Sequence, residues 1–404
     1  MTHGPDTREE AQNSQRARQA NPCPHYPDCV PCPLIGKAYG EQLRFKRDKV
    51  REALGAYPRL TSIDVPEVIG SKEAFGYRNQ AKLVVRRARH GVLLGVYRPG
   101  THRVADVRRC ATHHPLIEPV LEAVAGAIED IDIPAYDERE HSGCLRHVVV
   151  RVAVWNRTAQ VILVTKTKTL PNNRQLVRAL QRVRGVVSVV HNVNTEPGNA
   201  ILGPAFMPLT KVDALIDKVG PFKLRTRPGA FLQANIGVAR RIYRQTAEWI
   251  APREDEVVVD LYCGAGALTF HLAATAKLAV GIEESPVAVI DAKANVRLNG
   301  ISNARFHAGD SGDVLPELHQ TMGRIDVITL NPPRSGASAG ARAAIIAAAP
   351  DRIGYVSCDP RTLARDLDWL AERGYEVTHV QPFDLLPQTE HVECVARLRR
   401  RTET

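Results

Sequence analysis

The sequence predicts an α/β chain in two main parts, a compact α+β unit over residues 59–230 and, over 231–404, an open, mostly parallel sheet flanked by helices. Two observations carry this. From 231 onward a helix-periodic segment, GVARRIYRQTAEWI, leads into the buried run EVVVDLYCGAGA, and helix and strand then alternate through LAVGIEES, IDVITLNPP, RIGYVSC and VECVARL; such alternation builds parallel sheets. Between 59 and 230, short β-like runs (AKLVV, HVVVRVAVW, QVILV, VVSVVHNV) are separated by the helical segments PLIEPVLEAVAGAIEDI and NNRQLVRALQRV. No repeat of solenoid period is present.

Taken in order, residues 1–21 are polar, with balanced charge and no apolar period, and read as a disordered tail. Residues 22–58 hold a Cys- and Pro-rich loop, NPCPHYPDCVPCP, followed by GKAYGEQLRFKRDKVREALGAY, whose Leu43, Val50 and Leu54 recur at amphipathic-helix spacing. The chain of 404 residues carries 54 Lys plus Arg against 44 Asp plus Glu, a net charge of +10, which suggests a polyanionic partner. With only 5% aromatic residues, composition does not say which one. Locally the bias is sharper: Lys82, Arg86, Arg87, Arg89, Arg98, Arg103, Arg108 and Arg109 face one acid, Asp106, along the same stretch. That stretch is expected to track phosphates, a solvated face being the plainer reading. Eight cysteines are too sparse for a disulfide scaffold, no signal-like segment opens the chain, and no apolar run is long enough to span a bilayer. A reduced, cytoplasmic, monomeric protein away from membranes is expected.

Five constellations could carry chemistry. Cys23, Cys29 and Cys32, spaced C-x5-C-x2-C, with Cys110 far along the chain, could supply four soft ligands. An iron–sulfur cluster, a zinc ion and isolated reduced thiols all remain open on spacing alone. In Asp260-Leu-Tyr-Cys-Gly264-Ala-Gly266, small residues after a strand let a ligand approach the backbone, and Glu283 ends the next strand, placed to accept from ribose hydroxyls. Thr269 replaces the last glycine of a dinucleotide fingerprint and no phosphate-binding Lys-Ser/Thr pair is present, so S-adenosylmethionine fits better than NAD or ATP; a Gly-rich turn without a ligand is the alternative. Asn331-Pro-Pro-Arg334 is a rigid loop suited to holding a planar substrate. Cys358, between a β-run and a helix, would feel a dipole that favours its thiolate, or is simply a core thiol. Glu393 lies in a terminal strand, where a solvated carboxylate is the plainer reading.

Together these residues resemble the S-adenosylmethionine-dependent RNA (uracil-5-)methyltransferases. The likeness rests on C-x5-C-x2-C, Phe75-Gly-Tyr-Arg-Asn79, Phe231-Leu-Gln-Ala-Asn235, Asp260-Leu-Tyr-Cys-Gly-Ala-Gly266, Asn331-Pro-Pro-Arg334, Val356-Ser-Cys-Asp-Pro360 and Thr389-Glu-His-Val-Glu393, in family order. It implies a Rossmann-like class I methyltransferase domain, an α+β RNA-binding domain and an iron–sulfur loop. By the same resemblance, Cys358 is the nucleophile, Glu393 the base, and Gln233, Tyr262, Glu283, Asp310 and Asn331 line the S-adenosylmethionine site. Cys23, Cys29, Cys32 and Cys110 would hold a [4Fe–4S] cluster. Arg334 stands where amino-methylating enzymes with related loops carry an aromatic residue, which argues against that chemistry. Only 22 residues precede Cys23, too few for the N-terminal barrel of some ribosomal members, and Asn331 replaces the commoner Asp, so the short 23S ribosomal RNA branch is expected. A transfer-RNA T-loop enzyme is the alternative substrate reading, and an iron–sulfur RNA-binding or electron-transfer protein with a non-catalytic fold is the alternative of another class. Tyr77, Arg78 and Asn79 could contact RNA or pack domains together, and Cys144, Cys263 and Cys394 have no assigned role.

Overall fold

The computed structural model describes residues 23–26, 29–89 and 91–401; the tail expected over 1–21 lies outside them. Helix α1 (Tyr39–Gly55) follows the Cys-rich loop, and a single 3-10 turn spans Pro58–Leu60. The apolar spacing of α1 is as expected, with Val50, Ala53 and Leu54 buried, but its buried stripe also contains Gln42 and Lys46. Both reach partners far along the chain. Lys46 Nζ lies 2.5 Å from the buried Asp384 carboxylate, and Gln42 and Gln388 exchange hydrogen bonds of 2.9 and 3.0 Å. Val50, Leu54 and Leu60 share one apolar core with Leu363 and Leu367, so α1 packs onto the C-terminal half despite preceding the central unit.

The central unit runs β1 (Gln80–Ala88), β2 (Gly91–Tyr97), β3 (Val104–Asp106), α2 (Ile117–Ile131), β4 (Leu145–Ala153), β5 (Thr158–Thr165), α3 (Asn173–Gln181), β6 (Val186–Val193) and β7 (Ala205–Pro208). Its sheet has the order β3-β2-β1-β4-β5-β6-β7, antiparallel except for β5 with β6, the pair joined through α3. The apolar face of α2, with Val120, Leu121, Val124 and Ile128, shares a core with Leu83, Val148 and Val150 of the sheet. Every residue of β4 is buried, Arg146, His147 and Arg151 included, so both faces of this strand are covered.

The hairpin β8 (Leu215–Val219) and β9 (Phe222–Thr226) leads to α4 (Ile236–Ile250), and Val219 and Leu224 share a core with Val238 and Ile242 of that helix. The chain then alternates through β10 (Val257–Leu261), α5 (Ala267–Ala273), β11 (Leu278–Glu283), α6 (Pro286–Asn299), β12 (Ala304–Ala308), α7 (Ser311–Met322), β13 (Val327–Leu330), α8 (Ala339–Ala348), β14 (Arg352–Ser357) and α9 (Pro360–Glu372). It closes with β15 (Tyr375–Phe383) and β16 (Glu393–Arg400). The sheet order is β12-β11-β10-β13-β14-β16-β15, a Rossmann-like sheet with parallel pairing through β14 and an antiparallel β16. Strand order reverses between β10 and β13, and in such sheets the crevice outside that switch point receives the ligand.

Candidate active site

This topology brings the sequence-predicted residues to one edge. Tyr262 follows β10, Glu283 ends β11, Asp310 follows β12, Asn331 follows β13 and Cys358 follows β14, so all five sit at the carboxyl ends of parallel strands. Because β16 runs the other way, its first residue, Glu393, lies at the same edge. The pairing of Ser357 with Cys394 sets Cys358 beside Glu393.

The cofactor side is built from tight turns. Tyr262 has φ +58°, a left-handed conformation uncommon for a bulky residue, and its hydroxyl accepts from the Ser338 N–H at 3.3 Å. Gly266 has φ +92°, and a Cβ there would press into the rings of Phe306 and Phe270. Gln233, Tyr262, Gly264 and Asn331 line one cavity together with Phe231 and Tyr243. Glu283 accepts from the N–H of Gly264 at 3.0 Å and of Ser285 at 2.9 Å, which clamps the glycine turn and leaves further lone pairs for ligand hydroxyls. Asp310 caps α7 by accepting from the Gly312 N–H at 2.7 Å, with its side chain exposed at the crevice edge.

Asp260 heads the same motif but is buried. Its carboxylate accepts from Thr269 at 2.6 Å and from Thr329 at 2.7 Å, and burial pushes its pKa up to about 6. Thr269, first noticeable as a missing glycine, is thus the hydroxyl that ties α5 to the end of β10. Cys263 covers Gly281, whose Cβ would fall 2.6 Å from the sulfur, and Cys394 is wholly buried in β16.

The reacting groups differ electrostatically from the sequence-based expectation. Burial, with the negative charge of Glu393, pushes the Cys358 thiol up to about 11, and Arg334 opposes this. The helix dipole therefore does not leave Cys358 as a resting thiolate, because desolvation of a half-buried sulfur beside a carboxylate outweighs it. Glu393 is 8% exposed, and burial raises its carboxyl to about 7 against the attraction of Arg334. Arg334 also approaches His391, with 3.3 Å between Nη2 and Nε2. The loop carrying it is held by α9, where Thr362 Oγ1 donates to the Arg334 carbonyl at 3.1 Å. Arg334 was noted in the sequence only for not being aromatic; the structure makes it the cation facing both reacting side chains.

Of the Phe75–Asn79 motif, two residues join domains. The Tyr77 hydroxyl donates to the Pro387 carbonyl at 2.9 Å, and Asn79 donates through its side chain to the Gln233 carbonyl and through its backbone to that of Ala234, both at 2.9 Å. Arg78 instead faces the cysteines. The Cys29 thiol is raised to about 11 by burial and by Cys110 and Cys23, and the Cys32 thiol to about 12 by burial and by Cys110, Cys29 and Cys23, with Arg78 opposing both. Cys23 and Cys110 are thus near enough to Cys29 and Cys32 for their charges to be felt. Cys29, Cys32 and Cys110 line a cavity of about 210 Å³ with Arg78 and His113, and His25 Nε2 and His113 Nδ1 are buried without a hydrogen-bond partner. Among the described residues no group of three or more His, Cys, Asp or Glu side chains is arranged to hold a metal ion.

Among the described residues, four of the eight cations in the basic stretch over 82–109 pair with carboxylates, most of them outside it. Arg86 pairs with Glu138 at 3.2 Å, Arg87 with Asp132, Arg108 with both Asp106 and Glu122 at 2.7 and 2.9 Å, and Arg109 with Glu118 at 3.6 Å. Lys82 is exposed on β1, and partial desolvation together with the charges of Arg151 and Arg78 lowers its pKa.

Among known proteins, residues 214–401 match the family model described as tRNA (uracil-5-)-methyltransferase. An uncharacterized RNA methyltransferase of Geobacter sulfurreducens is 42% identical over 95% of this chain and 78% of its own length, and one of Clostridium tetani is 38% identical over 93% and 81%. The solved structure of the Pyrococcus abyssi tRNA (uracil-54, C5)-methyltransferase in complex with S-adenosyl-L-homocysteine aligns with a TM-score of 0.74 at 25% identity, covering 92% of this chain and 86% of that one. No helix among the described residues is long and apolar enough to cross a membrane.

Proposed function

The chain belongs to the RNA (uracil-5-)methyltransferases, and from that premise we propose that it methylates C5 of a uridine in 23S ribosomal RNA through Cys358 and Glu393. The observation that carries this reading is their juxtaposition at the crevice edge of the sheet, with Arg334 facing both. C5 of uracil is too weak a nucleophile to take a methyl group from a sulfonium unaided. Attack of the Cys358 sulfur on C6 forms a C–S bond and moves the C5–C6 π electrons toward O4 as an enolate. The thiol proton passes to solvent as the C–S bond forms, with Arg334 favouring the thiolate, and Glu393, ionised above about pH 7, stays free to act at C5. Enolate C5 then displaces S-adenosylhomocysteine from the methyl carbon of S-adenosylmethionine. Glu393 removes the C5 proton, and cleavage of the C6–S bond restores Cys358 and the aromatic ring. Arg334 favours the thiolate throughout. The uridine must leave its stack to expose C5 and C6, so an unpaired or flipped nucleotide is the substrate.

Gln233, Tyr262, Glu283 and Asn331 hold S-adenosylmethionine in this reading, with Glu283 on the ribose and Asp310 at the rim. Cys23, Cys29, Cys32 and Cys110 suit a [4Fe–4S] cluster in donor chemistry: the thiols are soft, Cys29, Cys32 and Cys110 line one cavity, and Arg78 offsets thiolate charge. Such a cluster would supply a covalent staple between the N-terminal loop and the central sheet. The cysteine set and Asn331 support the ribosomal branch. The likeness to a transfer-RNA enzyme supports a T-loop uridine as the second reading. Mapping 5-methyluridine by mass spectrometry in 23S ribosomal RNA and transfer RNA from a strain lacking the protein separates them. Loss of one 23S site is expected, and loss confined to the T loop would overturn the ribosomal assignment.

A further inference from the structure

We propose that a second cleft, between the central and catalytic units, binds an unpaired nucleotide flanking the target uridine; this rests on the reading of RNA as substrate. The cleft has a volume of about 710 Å³ and is lined by Phe75, Tyr77, Trp155 and Ile236 below Lys72, Lys218 and Arg240. That volume lies within the range of about 300–1,000 Å³ typical of ligand sites. Trp155 is 48% exposed, and Lys218 Nζ stands 4.6 Å from its ring centroid. An exposed indole beside cations suits stacking of a base with its phosphate close by.

The cations here are available. Lys72, Lys218 and Arg240 have no carboxylate within ion-pair distance among the described residues, in contrast to Arg86, Arg87, Arg108 and Arg109. The nearby Asp217 is already used, accepting from the N–H groups of Val154 and Trp155 at 2.9 Å and of Lys218 at 2.8 Å. Arg241 donates to the Gly70 carbonyl at 2.7 Å and serves the domain junction instead. Ile236 lines both this cleft and the cavity of Gln233 and Tyr262, so the two are neighbours. A strand entering the active site therefore has an adjacent place for its next exposed base. A half-open cleft with an exposed indole suits a splayed nucleotide better than a duplex.

The test uses the full-length protein, a 12-residue oligouridylate as binding probe and 5-fluorouridine-containing 23S RNA for trapping. Trp155→Ala is expected to weaken oligouridylate binding about five- to hundredfold, the loss typical of one stacked base. Lys218→Glu and Arg240→Glu are expected to weaken binding and lower the salt slope by about one each. S-adenosylmethionine affinity and melting temperature should stay unchanged in all three. Wild-type affinity and salt slope in these variants, with trapping at Cys358 intact, would overturn the nucleotide cleft alone. Free UMP binding as tightly as the oligonucleotide would overturn it too, marking a small-molecule site. Absence of trapping in the wild type would remove the functional reading and this proposal with it.

Discussion

Replacing Glu393 by Gln is expected to stop turnover while making the folded protein more stable at alkaline pH. Burial raises the Glu393 carboxyl from its ordinary 4.5 to about 7. Between those values the folded protein keeps a proton that the unfolded chain has lost, so this group erodes stability as pH rises from 4.5 and the loss is complete above about 7. At about 1.4 kcal/mol per pH unit, the interval is worth about 3 kcal/mol. Glutamine cannot ionise and escapes that loss, so the variant should gain about 3 kcal/mol at pH 8 and almost nothing near pH 4.5. Denaturant unfolding of wild type and variant at pH 5, 6, 7 and 8 measures the difference directly. The same change removes a negative charge beside Cys358, so the pH at which its thiol reacts with iodoacetamide should fall below the wild-type value of about 11. RNA should also accumulate as a covalent adduct, because the C5 proton has no acceptor. A variant whose stability advantage over wild type is no larger at pH 8 than at pH 5, or one that still turns over, would refute the assignment of Glu393 as a buried base.

Four further outcomes are expected. Methylation under saturating substrates should fall about tenfold per unit below pH 7, as Glu393 becomes protonated; a flat profile between pH 5 and 7 would contradict it. Lys46→Met should cost about 3–5 kcal/mol by stranding the Asp384 carboxylate, and adding Asp384→Leu should recover most of that in chemical denaturation. Glu283→Ala removes the acceptor of the Gly264 and Ser285 N–H groups and should weaken S-adenosylmethionine binding about tenfold or more by calorimetry. Cys32→Ser should abolish the brown absorbance of anaerobically purified protein and lower its melting temperature; a colourless wild-type protein without bound iron would contradict the cluster.

The catalytic sheet was legible because its signals are local. Apolar runs ending in Asp260, Asn331 and Cys358 announce strand ends, and alternating helices force those ends onto one edge. What the sequence hid was pairing over long separations. Gln42 and Lys46 read as the wet side of an amphipathic helix, yet they are buried because Gln388 and Asp384 wait more than three hundred residues later. The bias of eight cations to one acid over 82–109 was real in sequence, but helix α2 and the segments around Asp132 and Glu138 supply acids in space for four of the eight. The sequence left Cys358 open between a thiol acidified by its place before a helix and a core thiol; the raising effects of burial and Glu393 needed the β14–β16 pairing to be seen. Arg334 could have been found from the rigid Pro-Pro loop that presents it, had its charge been weighed as well as its lack of a ring. Gln388, at φ +71°, shows how tightly the loop before Glu393 is specified. Its backbone and side chain are bonded to Leu34, Gln42 and Ala74, so contacts hold a conformation that sequence preference alone would avoid.

The central claim is that Cys358 attacks C6 of a uridine in RNA. It is tested most directly by incubating the protein with S-adenosylmethionine and 5-fluorouridine-containing 23S RNA, then digesting the product and sequencing the modified peptide by mass spectrometry. Fluorine at C5 cannot leave as a proton, so a stable methylated adduct on Cys358 is expected, lost in Cys358→Ala and retained in Glu393→Gln. Methylated RNA with no protein adduct, or an adduct on a cysteine other than Cys358, would contradict it.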